Sequence, residues 1–148
     1  KKRYILNLGL DALSKKLNYM YLYKNISKSE VPIKQILLNQ KIISGIGNIY
    51  ASEILFDAKL SPLRPGNKLT VVQIKKIIVS IRKILTKAIK FGGSSIRDYR
   101  SADGTLGNFQ SNFKVYGKEG EKISGSEIIK IVQYGRSTFF CPQIQKNK

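Results

Sequence analysis

The 148-residue sequence predicts a mainly α-helical unit followed by a small β-hairpin unit, and three observations carry that expectation. Apolar residues recur at intervals of three and four from Val71 to Ile89, the signature of a helix with one buried face. Glycine, proline and short polar runs cut the stretch before it into brief segments. Beyond residue 112 the pattern changes to β-branched and aromatic residues on either side of Tyr134-Gly135, as in a tight hairpin.

The elements follow in order. Lys1 to Asp11 turns from basic to apolar and reads as a lead-in. From Leu13, the positions Leu17, Met20 and Tyr21 keep helical spacing, with Asp11 as the cap. Three tyrosines on this helix, Tyr19, Tyr21 and Tyr23, either pack one face with wet hydroxyls or stack on bases. A polar turn from Asn25 to Glu30 leads to a second helix with Pro32 in its first turn, where a missing N–H costs nothing; Ile33, Ile36, Leu37 and Leu38 face inward. Gly45 and Gly47 permit a sharp turn into a third helix, opened and capped by Asn48 and running to Asp57. With Lys41 just upstream, the unpaired N–H groups of that helix start can hold a phosphate oxygen; an ordinary capped helix after a tight turn has the same features. Pro62, Pro65 and Gly66 make a loop, Thr70 caps the longest helix, and Gly92-Gly93 end it. Lys75, Lys76, Arg82, Lys83, Lys87 and Lys90 on that helix read mostly as a solvated outer face, with direct phosphate contacts as the alternative. The glycine-punctuated stretch 92–112 is a functional type of loop, Phe113 to Tyr116 reads as a strand, and Ile128–Tyr134 with Ser137–Phe140 as the hairpin.

Composition bounds the chemistry. Twenty-seven Lys and Arg against nine Asp and Glu give +18, a charge that suits a polyanion, and nucleic acid over a membrane because no long uncharged apolar run or signal-peptide pattern occurs. Lys, Ile and Asn are all frequent, which nucleotide bias in a genome would also produce. Histidine is absent and Cys141 is the only cysteine. That excludes Ser-His-Asp and Cys-His nucleophiles, a disulfide within the chain and a four-ligand Cys/His zinc site; the lone thiol suits a reducing cytoplasm. The first residue is Lys1, as in a fragment or a processed product.

The run PIKQILLNQKIISGIGNIYASEILF, Pro32 to Phe56, resembles the helix-two-turn-helix core of formamidopyrimidine-DNA glycosylases, bacterial enzymes that excise oxidised purines. GIGNIYASE is its most specific part, and LGLDALS, GGSSIRDY, SADGTLGNF, VYGKEGE and GRSTFFCPQ extend the likeness over nearly the whole chain, matching the second half of that family. The resemblance implies a helix-two-turn-helix domain over 1–112, with a recognition loop at about 92–112, and a zinc-finger-like hairpin over 113–148. It implies the DNA-binding, lesion-clamping part of a base-excision-repair glycosylase and abasic-site lyase, located in the bacterial cytoplasm with the nucleoid. Its partner would be double-stranded DNA bearing an oxidised purine or abasic site. Asn48 and Arg136 would hold the phosphates around the lesion, with Lys34 and Lys41 as further phosphate contacts. Ser94, Ser95, Ile96, Arg97, Asp98 and Tyr99 match the loop that closes over the extruded base. Glu53, inside the marker motif, reads as a satisfied, partly buried carboxylate supporting the turn.

Two departures qualify the resemblance. The family's nucleophile is an N-terminal proline amine followed by glutamate; the four prolines here, Pro32, Pro62, Pro65 and Pro142, are internal and carry no free secondary amine. Solvated lysines are protonated and poor substitutes. No catalytic residue is therefore expected in this chain, and a separate polypeptide could supply the N-terminal half. The family's zinc takes two C-x-x-C pairs, whereas here Lys122-Ile123-Ser124-Gly125 stands for the first and Cys141-Pro142-Gln143-Ile144 for the second. One ligand of four remains, so no cofactor is expected, and packing must hold the finger, with Ile123, Ile128, Ile131, Phe139 and Phe140 available; zinc-less fingers with the same arginine placement occur in endonuclease VIII-like relatives. Two rival readings are a non-catalytic nucleic-acid module, since the same helix-two-turn-helix occurs in a small-subunit ribosomal protein, and a decaying gene product.

Overall fold

The computed structural model describes residues 8–90 and 113–147. Its first strand, β1 (Leu10–Asp11), lies parallel to β2 (Ile43–Ser44), a pairing of two residues each. Gly9 is required beside it, because a Cβ there would stand 2.2 Å from the Ile42 carbonyl oxygen. The first helix starts later than the apolar spacing from Leu13 predicts. Asp11 Oδ1 accepts the Leu13 N–H at 2.8 Å and Ser14 Oγ the Lys16 N–H at 3.1 Å, local turns that compete with helix. Helix α1 spans Tyr19–Ile26, and its cap is Asn18, not Asp11, with Oδ1 accepting the Tyr21 N–H at 3.0 Å.

The tyrosines of α1 pack. Tyr21 donates its hydroxyl to the Ile42 carbonyl at 2.6 Å, and Tyr19 stacks on Tyr23 with centroids 5.5 Å apart. Helix α2 (Ile33–Leu38) begins directly after Pro32 and buries Ile33, Lys34, Ile36 and Leu37. Helix α3 (Asn48–Asp57) is buried without interruption from Ile49 to Leu55, which makes it the central rod of the molecule. Gly47 occupies the cap position, so Asn48 is the first helical residue and its side chain is free for other work.

After α3 a short 3₁₀ turn (Gly66–Lys68) fills the proline-rich loop. Gly66 is buried there, where a Cβ would approach the Ile26 carbonyl oxygen to 2.8 Å. A reciprocal capping box then opens α4 (Val71–Lys90): Thr70 Oγ1 accepts the Gln73 N–H at 3.2 Å while Gln73 Oε1 accepts the Thr70 N–H at 2.9 Å. Ile74, Ile77, Ile78, Ile81 and Leu85 face the core, whereas Val71 and Ile89, expected on the same face, are 50% and 64% exposed. No described helix is long and apolar enough to cross a membrane.

The remaining strands form two hairpins. β3 (Lys122–Ile123) pairs with β4 (Ser126–Glu127), and β5 (Ile129–Gln133) with β6 (Arg136–Phe140), both antiparallel. Each closes through two residues with positive φ, Ser124-Gly125 at 50° and 82° and Tyr134-Gly135 at 50° and 79°, the arrangement whose twist suits adjoining strands. Phe113 to Tyr116, expected as a strand, is instead a turn-rich strap leading into the finger. Rings run across it from helices to finger: Tyr50 to Phe113 at 6.0 Å, Phe113 to Tyr116 at 6.1 Å, Tyr116 to Phe139 at 4.7 Å. A large core lies among the four helices, and a small one of Val115, Ile128, Phe139 and Cys141 lies in the finger.

Candidate nucleic-acid interface

The turn before α3 is braced from within. Gln40 donates through Nε2 to the Ile46 and Leu38 carbonyls, at 3.1 and 3.2 Å, while its Oε1 accepts the Gly45 N–H at 2.9 Å. Gly45 has a φ of +103°, open to glycine with no Cβ penalty, and the exposed Gly47 has nothing within 4 Å of where a Cβ would sit. The start of α3 is therefore accessible to an anion, and no side chain caps it. Lys41 is exposed on the same turn.

Behind that turn lies Lys34, and the structure corrects its expected role. Lys34 is fully buried, so its ammonium has no surface with which to touch a phosphate. Its Nζ donates to Asn48 Oδ1 at 2.6 Å, Thr138 Oγ1 at 2.7 Å and the Ser137 carbonyl at 3.1 Å. An ammonium has donors only, so Asn48 must turn its oxygen inward and its nitrogen outward. One Nδ2–H donates to the Ser137 carbonyl at 3.0 Å; the other has no partner among the described residues. Burial, and then the nearby Arg136 guanidinium, lower the Lys34 pKa from 10.5 to about 8.

Arg136 is exposed at the first position of β6. It shares a strand face with Thr138, since side chains two apart point the same way, and Thr138 is the residue whose hydroxyl meets Lys34. Asn48 and Arg136, 88 positions apart by their numbers, thus stand on one side of the molecule, joined through Ser137 and Lys34. A carboxamide N–H and an open helix start lie there, and the exposed Arg136 precedes the Ser137 whose carbonyl Asn48 meets. Those are the groups that hold adjacent phosphates of a nucleic-acid backbone.

Glu53 is satisfied and buried, but it supports a different segment from the turn. Oε1 accepts the Lys114 N–H at 2.7 Å, and Oε2 those of Val115 and Tyr116, both at 2.9 Å. Burial pushes this carboxyl up from the ordinary range, opposed by those three N–H groups and by Lys114. The carboxylate ties the strap to α3. Three further bonds dock the finger on α3 and the loop that follows it: Phe139 N–H to Ser52 Oγ at 3.4 Å, Gln133 Nε2 to the Pro62 carbonyl at 3.2 Å, and Gln145 Nε2 to the Leu60 carbonyl at 3.0 Å. None of these partners carries a local signal; sequence reasoning had no route to Ser137, Thr138 or the Glu53 strap.

Cys141 is fully buried in the finger core, and Ile123 and Ile144 pack against that core. Among the described residues no three His, Cys, Asp or Glu side chains gather around a common point. Ser94, Ser95, Ile96, Arg97, Asp98 and Tyr99 lie outside the described residues.

Comparison with known proteins bears on the family and the fold. Residues 8–100 match the model of the formamidopyrimidine-DNA glycosylase H2TH domain. The formamidopyrimidine-DNA glycosylase of Zymomonas mobilis is 47% identical over 144 residues, covering 97% of this chain and 53% of the relative; that of Wolbachia pipientis is 43% identical over 141 residues, covering 94% and 52%. The chain thus spans about half the length of the relatives it matches. Among solved structures, Lactococcus lactis Fpg in complex with abasic-site DNA superposes with a TM-score of 0.86 at 42% identity, over 98% of this chain and 55% of that one. MutM (Fpg) of Thermus thermophilus superposes at 0.85 and 37% identity, over 97% and 55%. By sequence match and by fold, the chain belongs to the formamidopyrimidine-DNA glycosylase H2TH family.

Proposed function

We propose that these residues form the C-terminal, DNA-gripping part of a formamidopyrimidine-DNA glycosylase and abasic-site lyase, acting in base-excision repair of oxidised purines in the bacterial cytoplasm. The observation that carries the reading is that Asn48 and Lys34 both donate to the carbonyl of Ser137, the residue next to the exposed Arg136. Asn48 and the start of α3 take one phosphate, and Arg136 the next. Lys41 adds a peripheral contact, and the 94–99 segment reads the damaged base. Gripping adjacent phosphates holds the strand bent, which lowers the cost of keeping one nucleotide out of the stack.

No residue of this chain performs the bond cleavage; that chemistry belongs to the family's proline amine and glutamate, supplied outside these residues. The helical part through residue 112 and the finger from 113 act as two sides of one clamp. The finger works without zinc. Its residues do not fit the ion, since a buried thiol packed against isoleucines offers one donor where four are needed.

The test is binding to duplex DNA containing a tetrahydrofuran abasic analogue, measured by fluorescence anisotropy over a range of salt. Binding should fall steeply with salt, and Asn48→Ala and Arg136→Ala should each weaken it, the latter reducing the salt slope by about one. Unchanged affinity in both variants, or tighter binding to structured RNA than to this duplex, would end the repair reading.

A further inference from the structure

We infer that Tyr134, at the tip of the finger, is an aromatic DNA contact that lies against a nucleobase or deoxyribose beside the phosphate held by Arg136; the inference rests on the function proposed above. Tyr134 is the first of the two turn residues joining β5 to β6, and Arg136 follows it by two positions. Its φ is +50°, a conformation that Asn and Gly accept readily and that a bulky aromatic residue rarely adopts. Backbone strain of this kind persists where the residue has work to do.

The ring does nothing for the fold. Tyr134 is 68% exposed and makes no hydrogen bond or ring contact within the described residues. Its neighbour Val132 is 69% exposed, so the finger ends in an apolar tip at the edge of a strongly basic surface. An aromatic face beside a guanidinium is the combination that grips opened nucleic acid. The cation takes the backbone phosphate, and the ring takes the face of a base or sugar that bending has uncovered.

Substitution separates the two contributions, because fold and binding should move in opposite directions. Tyr134→Asn places the preferred residue before Gly135, so thermal stability should be unchanged or raised. Affinity of the full chain for the tetrahydrofuran duplex should nevertheless fall by about tenfold, as for loss of one stacking partner. The salt slope should stay that of the unsubstituted chain, since no charge is lost, and Tyr134→Phe should bind as tightly as the unsubstituted chain. Unchanged affinity in Tyr134→Asn, a reduced salt slope, or a Phe variant as weak as the Asn one would each overturn the inference. The phosphate clamp is scored separately: if Arg136→Ala and Asn48→Ala weaken binding while Tyr134→Asn does not, only the aromatic contact is lost.

Discussion

Replacing Lys34 by methionine should cost the protein little stability and much of its DNA affinity. The side chains are of similar length and unbranched, so the buried space stays filled. At pH 7 the ammonium is buried at a disadvantage: lowering a pKa from 10.5 to about 8 corresponds to about 3 kcal/mol against the charged form, at 1.36 kcal/mol per unit. Methionine removes that cost. It also removes three hydrogen bonds, but their acceptors are not equally stranded. Asn48 is partly exposed and its oxygen can meet water, and the Ser137 carbonyl keeps the Asn48 N–H at 3.0 Å. Only the buried Thr138 hydroxyl is left without its partner, at about 1–3 kcal/mol. The two effects nearly cancel, so the thermal midpoint should move by no more than about 5 °C.

Binding has no such compensation. Without Lys34, the Asn48 oxygen loses its inward partner, only the bond to the Ser137 carbonyl still orients the amide, and the charge behind the site is gone. Affinity for the tetrahydrofuran duplex should fall by about tenfold or more, the loss of one charge-assisted contact. The pH dependence adds a second check. Between pH 8 and 10.5 the unfolded chain holds the Lys34 proton and the folded chain does not, so the parent should gain stability relative to Lys34→Met as pH rises through that window. Chemical denaturation of both proteins at pH 7 and pH 10 measures it. A stability loss above about 4 kcal/mol at pH 7, with DNA affinity intact, would refute the reasoning, because Lys34 would then be a structural ion and not the group that sets the Asn48 amide.

Two other perturbations follow from the same seam. Glu53→Gln keeps one acceptor oxygen and turns an NH₂ group toward backbone donors, so it should destabilise by about 1–3 kcal/mol and speed amide exchange at Lys114, Val115 and Tyr116, while Ile54 and Leu55 in α3 remain protected. Uniform exchange across both segments would show that the strap is not held by that carboxylate. Prolonged EDTA treatment should leave both the thermal midpoint and DNA affinity unchanged, and a chelator-induced drop in either would contradict a zinc-independent finger.

Much of the architecture was legible because its causes are local. The period of α4, the Thr70 cap and the two-residue turn at Tyr134-Gly135 each follow from neighbours within a few positions. One error is local too, and the others have the opposite cause. Leu13 and Leu17 have helical spacing, yet Asp11 and Ser14 spend their side chains on nearby N–H groups and delay α1 to Tyr19. Phe113 and Val115 alternate like a strand, but the N–H groups a strand would use are taken by Glu53, about sixty residues earlier. Lys34 was expected among the phosphate contacts; it is buried, and its partners Ser137 and Thr138 lie more than a hundred positions away. The glycine turn and helix start drew attention to Asn48 from the residues alone, whereas Arg136 was singled out by family resemblance, and no pattern of spacing or charge would have separated it from the other basic residues.

The seam also explains how a finger that keeps one of the family's four cysteine ligands can place an arginine. The finger's own buried core is four residues, too small to fix the register of a hairpin unaided. Its position is set from outside, by Lys34 at Ser137 and Thr138, by Ser52 at Phe139, by Glu53 at the strap, and by Gln133 and Gln145 reaching back to the Pro62 and Leu60 carbonyls. Ser52 and Glu53 belong to α3, the helix whose first residue is Asn48, and Leu60 and Pro62 to the loop that follows it. Movement of the finger against α3 would break these bonds, so the contacts that dock the finger also hold Arg136 in place relative to Asn48. A zinc ion shapes a finger from within. Here the anchoring lies in the interface itself, and any substitution that loosens the docking should widen the clamp before it unfolds the helices.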